Sequence, residues 1–184
     1  MSPILRAVTD LADQAVILPM VAAAGIALAL LGWRRGALGW CIGGAITLGA
    51  VLILKLVAVA CSLVVESPSG HTASAAMMAG ALAWVFAARL RFALALSLAA
   101  AVAIGATRLA LGLHSVPDVL VGALIGLAGA LCTMQLAGPP PATLRRRALV
   151  VILLACLFST YGNHLEAEGM IRHVAHRHGC WLYE

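Results

Sequence analysis

Six apolar runs separated by short polar breaks fill most of the chain, and this repetition limits the fold more than any other feature. The runs are Ala15–Trp33, Leu38–Val65, Thr72–Ala88, Phe92–Leu113, a fifth that follows Asp118 and ends at Leu136, and Ala148–Tyr161. A helix that crosses a bilayer needs about 20 apolar residues. Of the 184 residues, 63% are apolar and 10% charged, where soluble domains carry about 45–50% and about 25%. So few charges cannot cover that much apolar surface in water, which excludes a soluble enzyme. Disorder needs the opposite composition. The chain is therefore expected to form one all-α membrane domain over 1–184, an integral membrane bundle of about six transmembrane helices within 15–161. Residues 3–14 read as an N-terminal amphipathic interfacial helix, because Ile4, Val8 and Leu11 share one face while Arg6, Asp10 and Asp13 lie elsewhere. Residues 162–184 read as a polar tail.

Charge placement gives an orientation. Arg34 and Arg35 follow the first run at once, with no A-x-A site, which reads as a stop-transfer span and not a cleaved signal. Arg89/Arg91 and Arg145–Arg147 fall in the third and fifth connections. The positive-inside rule puts these three connections in the cytoplasm and the second and fourth on the opposite side. The net charge of +5 is explained by these arginines, so no nucleic-acid partner is implied. Four of the five cysteines lie in apolar runs and read as small buried hydrophobes. A Cys61–Cys180 disulfide would require an oxidising compartment. Gly122, Gly126 and Gly129 read as close-packing positions on the fifth span.

Ionisable side chains inside spans are costly and are functional hypotheses by default. Lys55, Arg108 and Asp118 are of this kind, with His71 and His114 at span ends, and all five belong to the two outer connections. Two cations, two imidazoles and a carboxylate at one face describe an anion site. The cations and helix amino termini neutralise charge, and imidazoles move protons or attack. Each piece also has a plainer account. Ser67-Pro68 suits an N-cap with proline in the first turn, Ser115 to Asp118 suits a capping box, and Arg108 suits a headgroup-seeking side chain. Lys55 lies about 15 Å from Val65 if the helix is continuous, too deep for an unpartnered cation. Glu66, at the mouth of the anion site, is expected to pair with Arg108. The histidines of the tail (His164, His173, His176 and His178) read as solvated, and no metal site is expected.

Pro68-Ser69-Gly70-His71 reads as a PSGH signature. Thr107-Arg108, His114 and Asp118 follow the spacing S-R-x5-H-x3-D, with threonine in the serine position. Together these blocks resemble the type 2 phosphatidic acid phosphatase family, which shares its fold with vanadium haloperoxidases. The resemblance covers about Lys55 to Leu136. The family's first motif, K-x6-R-P, is matched only at Lys55, because Ser62 stands seven residues on and no Arg-Pro occurs. The resemblance implies that His114 is the nucleophile and becomes phosphohistidine, Asp118 orients it, and His71 protonates the leaving oxygen. It gives phosphate binding to Lys55, Ser69, Gly70, Arg108 and Thr107, with no metal or other cofactor.

These readings combine into a membrane-embedded lipid phosphatase, hydrolysing a lipid phosphomonoester or diphosphate at the periplasmic face of a bacterial inner membrane. Undecaprenyl diphosphate, phosphatidic acid, phosphatidylglycerol phosphate and a lipid A phosphate are the candidate substrates by resemblance. A lipid phosphotransferase would use the same phosphohistidine. A non-catalytic lipid-phosphate binder or transport subunit would need the cations, but not both imidazoles and the carboxylate beside them.

Overall fold

A computed structural model describes residues 3–61 and 67–164, together with Gly169, Ile171, His173 and Val174. Among these residues the fold is all-helical: α1 (Pro3–Asp10), α2 (Gln14–Leu30), α3 (Arg34–Ala60), α4 (Gly70–Ala87), α5 (Leu90–Ala110), α6 (Val116–Ala137) and α7 (Arg146–Thr160). Four segments are long and apolar enough to cross a membrane: Leu5–Leu30, Arg34–Ala60, Leu90–Ala110 and Val116–Ala137. The protein is thus a multi-pass membrane protein. Leu30, Ile53, Val102, Leu124 and Phe158 are each more than half exposed, a continuous apolar exterior suited to lipid.

Several helix ends differ from the apolar runs, and the backbone explains why. Residues 3–14 do not form one helix. α1 stops at Asp10, and Asp13 begins a new helix as the N-cap of α2, its side chain accepting from the Ala15 amide. Arg34 and Arg35, expected in a connection, are the first residues of α3. α2 closes with a Schellman arrangement in which Gly32, at φ +88°, donates to Ala29 and Trp33 donates to Leu28. That turn frees Trp33 to start α3 directly. α3 in turn ends at Ala60 with Cys61 as its cap, so Lys55 lies about 8 Å of helical rise from the end and not about 15 Å. Ser62 and Glu66, with the proposed Glu66–Arg108 pair, lie outside the described residues.

Short connections force antiparallel hairpins, so α3 and α5 end where α4 and α6 begin. α4 is the packed centre, lying against α3, α5 and α6, while α7 packs on α2. The largest core cluster joins Val16 and Leu28 of α2, Trp40 of α3, Met77 of α4 and Leu149 of α7. Where α3 crosses α6 the two helices exchange small residues. A Cβ on Gly43 would strike Thr133 Oγ1, and one on Gly129 would strike Thr47 Oγ1. Each threonine hydroxyl donates to the glycine carbonyl four residues before it, at 2.8 Å for Thr47 and 2.9 Å for Thr133. No buried hydroxyl is left unmatched at this crossing. At the arginine-rich end, Arg35 Nε donates to the Leu136 carbonyl at 2.8 Å and Trp84 Nε1 to that of Gly138 at 2.8 Å. These bonds hold the exit of α6 against α3 and α4, which fixes the register of the opposite end.

Candidate active site

The opposite end gathers the carboxyl termini of α3 and α5 and the amino termini of α2, α4 and α6. Ser69 organises it. Fully buried, it caps α4: its Oγ accepts from the Thr72 amide at 3.4 Å and from the Thr72 hydroxyl at 2.9 Å. Its own backbone N–H donates to the Asp118 carbonyl oxygen at 3.0 Å. One hydrogen bond therefore ties the Pro68–His71 block to the Arg108–Asp118 block.

Glycine makes that approach possible. A Cβ on Gly122 would lie 2.5 Å from the Ser69 carbonyl oxygen, and one on Gly126 would strike the Ala73 carbonyl. Backbone stands on both sides of the Gly122 contact, so neither partner yields cheaply. Gly122→Ala is expected to lower stability by about 1–3 kcal/mol through overpacking. It should also displace Ser69 and reduce activity. Thermal unfolding in detergent micelles checks the first effect, and an unchanged melting temperature would contradict the contact.

His114 follows α5 by way of a second Schellman turn. Gly112, at φ +66°, donates to Leu109 and Leu113 donates to Arg108, both at 3.0 Å. Only a residue tolerant of the left-handed region fits there, and the turn delivers His114 beside the first turn of α6. Its Nδ1 faces Asp118 Oδ2 at 3.4 Å, with the two side chains 5% and 1% exposed. The same Oδ2 accepts from the Ser115 amide at 3.0 Å and the Ser115 hydroxyl at 2.9 Å. The capping and histidine-pairing accounts of Asp118 are therefore both true, because one carboxylate oxygen serves both. Pairing at Nδ1 leaves His114 Nε2 as the nitrogen directed away from Asp118.

His71 occupies the first turn of α4. The charges of Arg108, Asp13, Lys55 and His114 all act on its imidazole, and Asp118 is paired with His114. Lys55 is buried on α3. Arg108 is half-buried in the last turn of α5. Thr107 is buried in the same turn, but its hydroxyl donates to the Ile104 carbonyl at 2.7 Å, so it is engaged with its own helix. Gly70 opens α4, where the first amides have no intrahelical acceptor.

Asp13 escaped the sequence reading as a site residue. It is 8% exposed, and its Oδ2 lies 3.8 Å from His71 Nε2. An aspartate before an apolar run is an N-cap signal, but nothing local shows that this cap meets α4. His164 also reaches it, 3.8 Å from Asp13 and 3.9 Å from Asp10, although more than half exposed. Tyr161 Oη, donating to the Ala7 carbonyl at 3.0 Å, holds the end of α7 on α1. His176, His178 and Cys180 lie outside the described residues. Among the described residues, no group of three His, Cys, Asp or Glu side chains converges as a metal ion would need.

Residues 57–139 match the PAP2 superfamily, the family that the motifs resemble. That stretch contains every catalytic and phosphate-binding candidate except Lys55, which lies just before it. No curated protein and no solved structure matches the chain.

Proposed function

We propose that this chain, whose residues 57–139 match the PAP2 superfamily, is a metal-independent lipid phosphate phosphatase whose active site faces the periplasm of a bacterial inner membrane. The observation that carries the reading is the junction of the two blocks: a histidine–aspartate pair bonded through the Asp118 carbonyl to the cap of α4, inside a ring of two cations and a second imidazole. Catalysis of phosphoryl transfer is mostly positioning and charge stabilisation, and these residues supply both.

In the first step His114 Nε2 attacks phosphorus while the bond from phosphorus to the lipid oxygen breaks. His71 gives that oxygen a proton, and the lipid alcohol or monophosphate leaves. Asp118 holds the imidazole in the tautomer that attacks and stabilises its positive charge. In the second step water attacks the phosphohistidine, His71 takes the water's proton, and inorganic phosphate departs from a regenerated His114. Throughout, Lys55 and Arg108 balance the phosphoryl oxygens. The Ser69 oxygen already accepts two hydrogen bonds, so its single proton is the group it has left to donate. The Gly70 amide at the head of α4 completes the cradle.

Purified full-length protein should release free phosphate from one or more of phosphatidic acid, undecaprenyl diphosphate, phosphatidylglycerol phosphate and a lipid A phosphate. Activity should persist in excess EDTA and fall with vanadate, which adopts the five-coordinate geometry of the transferring phosphoryl group. Complete loss in chelator with recovery on adding magnesium would overturn the metal-independent mechanism. Label appearing on an acceptor lipid instead of in free phosphate would make the protein a phosphotransferase.

Two observations support the periplasmic orientation. Arg34 and Arg35, Arg89 and Arg91, and Arg145–Arg147 all lie at the end opposite the site. Cys61, the cap of α3 on the site side, is disulfide-bonded, as thiols become in oxidising compartments. An alkaline phosphatase reporter fused after Pro139 should therefore be silent, and one fused after Asn163 active. The reverse pattern would invert the topology.

A further inference from the structure

The carboxylate of Asp13 meets a backbone amide and two imidazoles. Oδ1 accepts from the Ala15 amide at 2.8 Å, which anchors it to the first turn of α2. Oδ2 faces the His71 imidazole at 3.8 Å. The neighbouring Gln14 reinforces the docking, since a Cβ on Gly70 would lie 3.4 Å from its Nε2. Side chains at the start of α2 thus reach the start of α4.

The surroundings of His71 show why a carboxylate there has chemical consequences. Burial first, then Arg108 of α5, Lys55 of α3 and His114, pull the His71 imidazole down to about 4, and Asp13 acts in the opposite direction. Asp118 of α6 is engaged with His114 and Ser115. The exposed His164 faces Asp10 of α1 at 3.9 Å and lies 3.8 Å from the same Asp13 Oδ2 that His71 faces. Among the described residues, Asp13 is thus the carboxylate that acts on the His71 ring, against the cations Lys55 and Arg108.

We propose that Asp13 is the positioning residue for His71, orienting its ring and favouring the protonated imidazole that gives a proton to the leaving lipid oxygen. The proposal rests on the reading of His71 as general acid. Pairing at Nε2 leaves Nδ1 as the donating nitrogen. After the first step the imidazole is neutral with its remaining proton toward Asp13. The water that attacks phosphohistidine then returns a proton to Nδ1.

The test compares leaving groups. A lipid alkoxide needs a proton to depart, whereas nitrophenolate does not. Asp13→Asn keeps a good N-cap on α2 and removes the charge. In the full-length protein it is expected to lower kcat on a short-chain phosphatidic acid by about 10²-fold while changing that on p-nitrophenyl phosphate by less than about threefold. The alkaline limb of the phosphatidic acid profile should move to lower pH, because the imidazole loses its proton more readily without the carboxylate. His71→Ala should show the same selectivity at larger amplitude. Equal losses on both substrates would reduce Asp13 to a structural cap and overturn the proposal. So would full activity of Asp13→Asn on phosphatidic acid while His71→Ala remains selective. If His71→Ala itself showed no selectivity, the general-acid reading would fail, and the proposal with it.

Discussion

His114→Ala is expected to abolish lipid phosphate hydrolysis, with turnover falling by about 10⁶-fold, the scale seen when the nucleophile of a catalytic unit is removed. The size of the effect follows from the division of labour in the site. In the proposed mechanism Lys55, Arg108 and the head of α4 bind and neutralise the phosphoryl group, but none of them forms the new bond to phosphorus. Without the imidazole, what remains is charge stabilisation of direct attack by water, which the buried position of His114 does little to admit. The substitution should leave the fold intact, because His114 follows the Gly112 turn and caps neither α5 nor α6. Brief reaction with phosphorus-labelled lipid, quenched in alkali, should trap an acid-labile phosphoprotein in the wild-type chain and none in the variant. Vanadate should still bind the variant, through the cations, with reduced affinity. Hydrolysis surviving His114→Ala would rule out the phosphohistidine route. A variant and wild type that are equally inactive toward every lipid phosphate, yet bind them, would make the protein a lipid-phosphate binder.

Much of this arrangement is legible in the sequence because it is encoded at helical spacing. His114 and Asp118 are four residues apart, so any helix or capping turn beginning at Ser115 brings them together. The apolar runs mark the helices for the same reason, since a bilayer selects on length and hydropathy alone. The helix ends are less legible. Hydropathy continues smoothly from Ala60 into Cys61 and Leu63, so it gives no sign that α3 is capped at Cys61. Trp33 likewise hides a boundary that Gly32 creates through its backbone. Asp13 was the largest omission. Its sequence context shows a charged flank or a helix cap, and either account is complete without His71. The contact exists because side chains at the start of α2 reach the start of α4 near Gly70, a consequence of the tertiary fold. The role of Thr107 is a similar case: the motif places a hydroxyl beside Arg108, but the helix gives that hydroxyl an acceptor in Ile104.

Asp118→Asn is the second substitution expected to have a very large effect, and it separates chemistry from folding at a residue that contributes to both. The carboxylate accepts two hydrogen bonds from Ser115 and faces His114 through the same oxygen, while the backbone carbonyl receives the Ser69 amide. Asparagine keeps the backbone bond and offers an amide oxygen to Ser115, so the start of α6 and its junction with α4 should survive. It removes the negative charge that, in the proposed mechanism, stabilises the imidazolium formed on attack. Loss of the orienting carboxylate in a comparable unit lowers turnover by about 10⁴-fold, and a similar loss is expected here with little change in melting temperature. Asp118→Ala should differ in kind. It also removes the acceptor for Ser115 and should cost about 0.5–2 kcal/mol of stability in addition to activity. Measuring turnover and thermal unfolding on both variants tests the separation. An Asp118→Asn protein that unfolds as early as the alanine variant but retains near-normal turnover per folded molecule would show that the carboxylate serves the helix cap alone, leaving His114 to act without it.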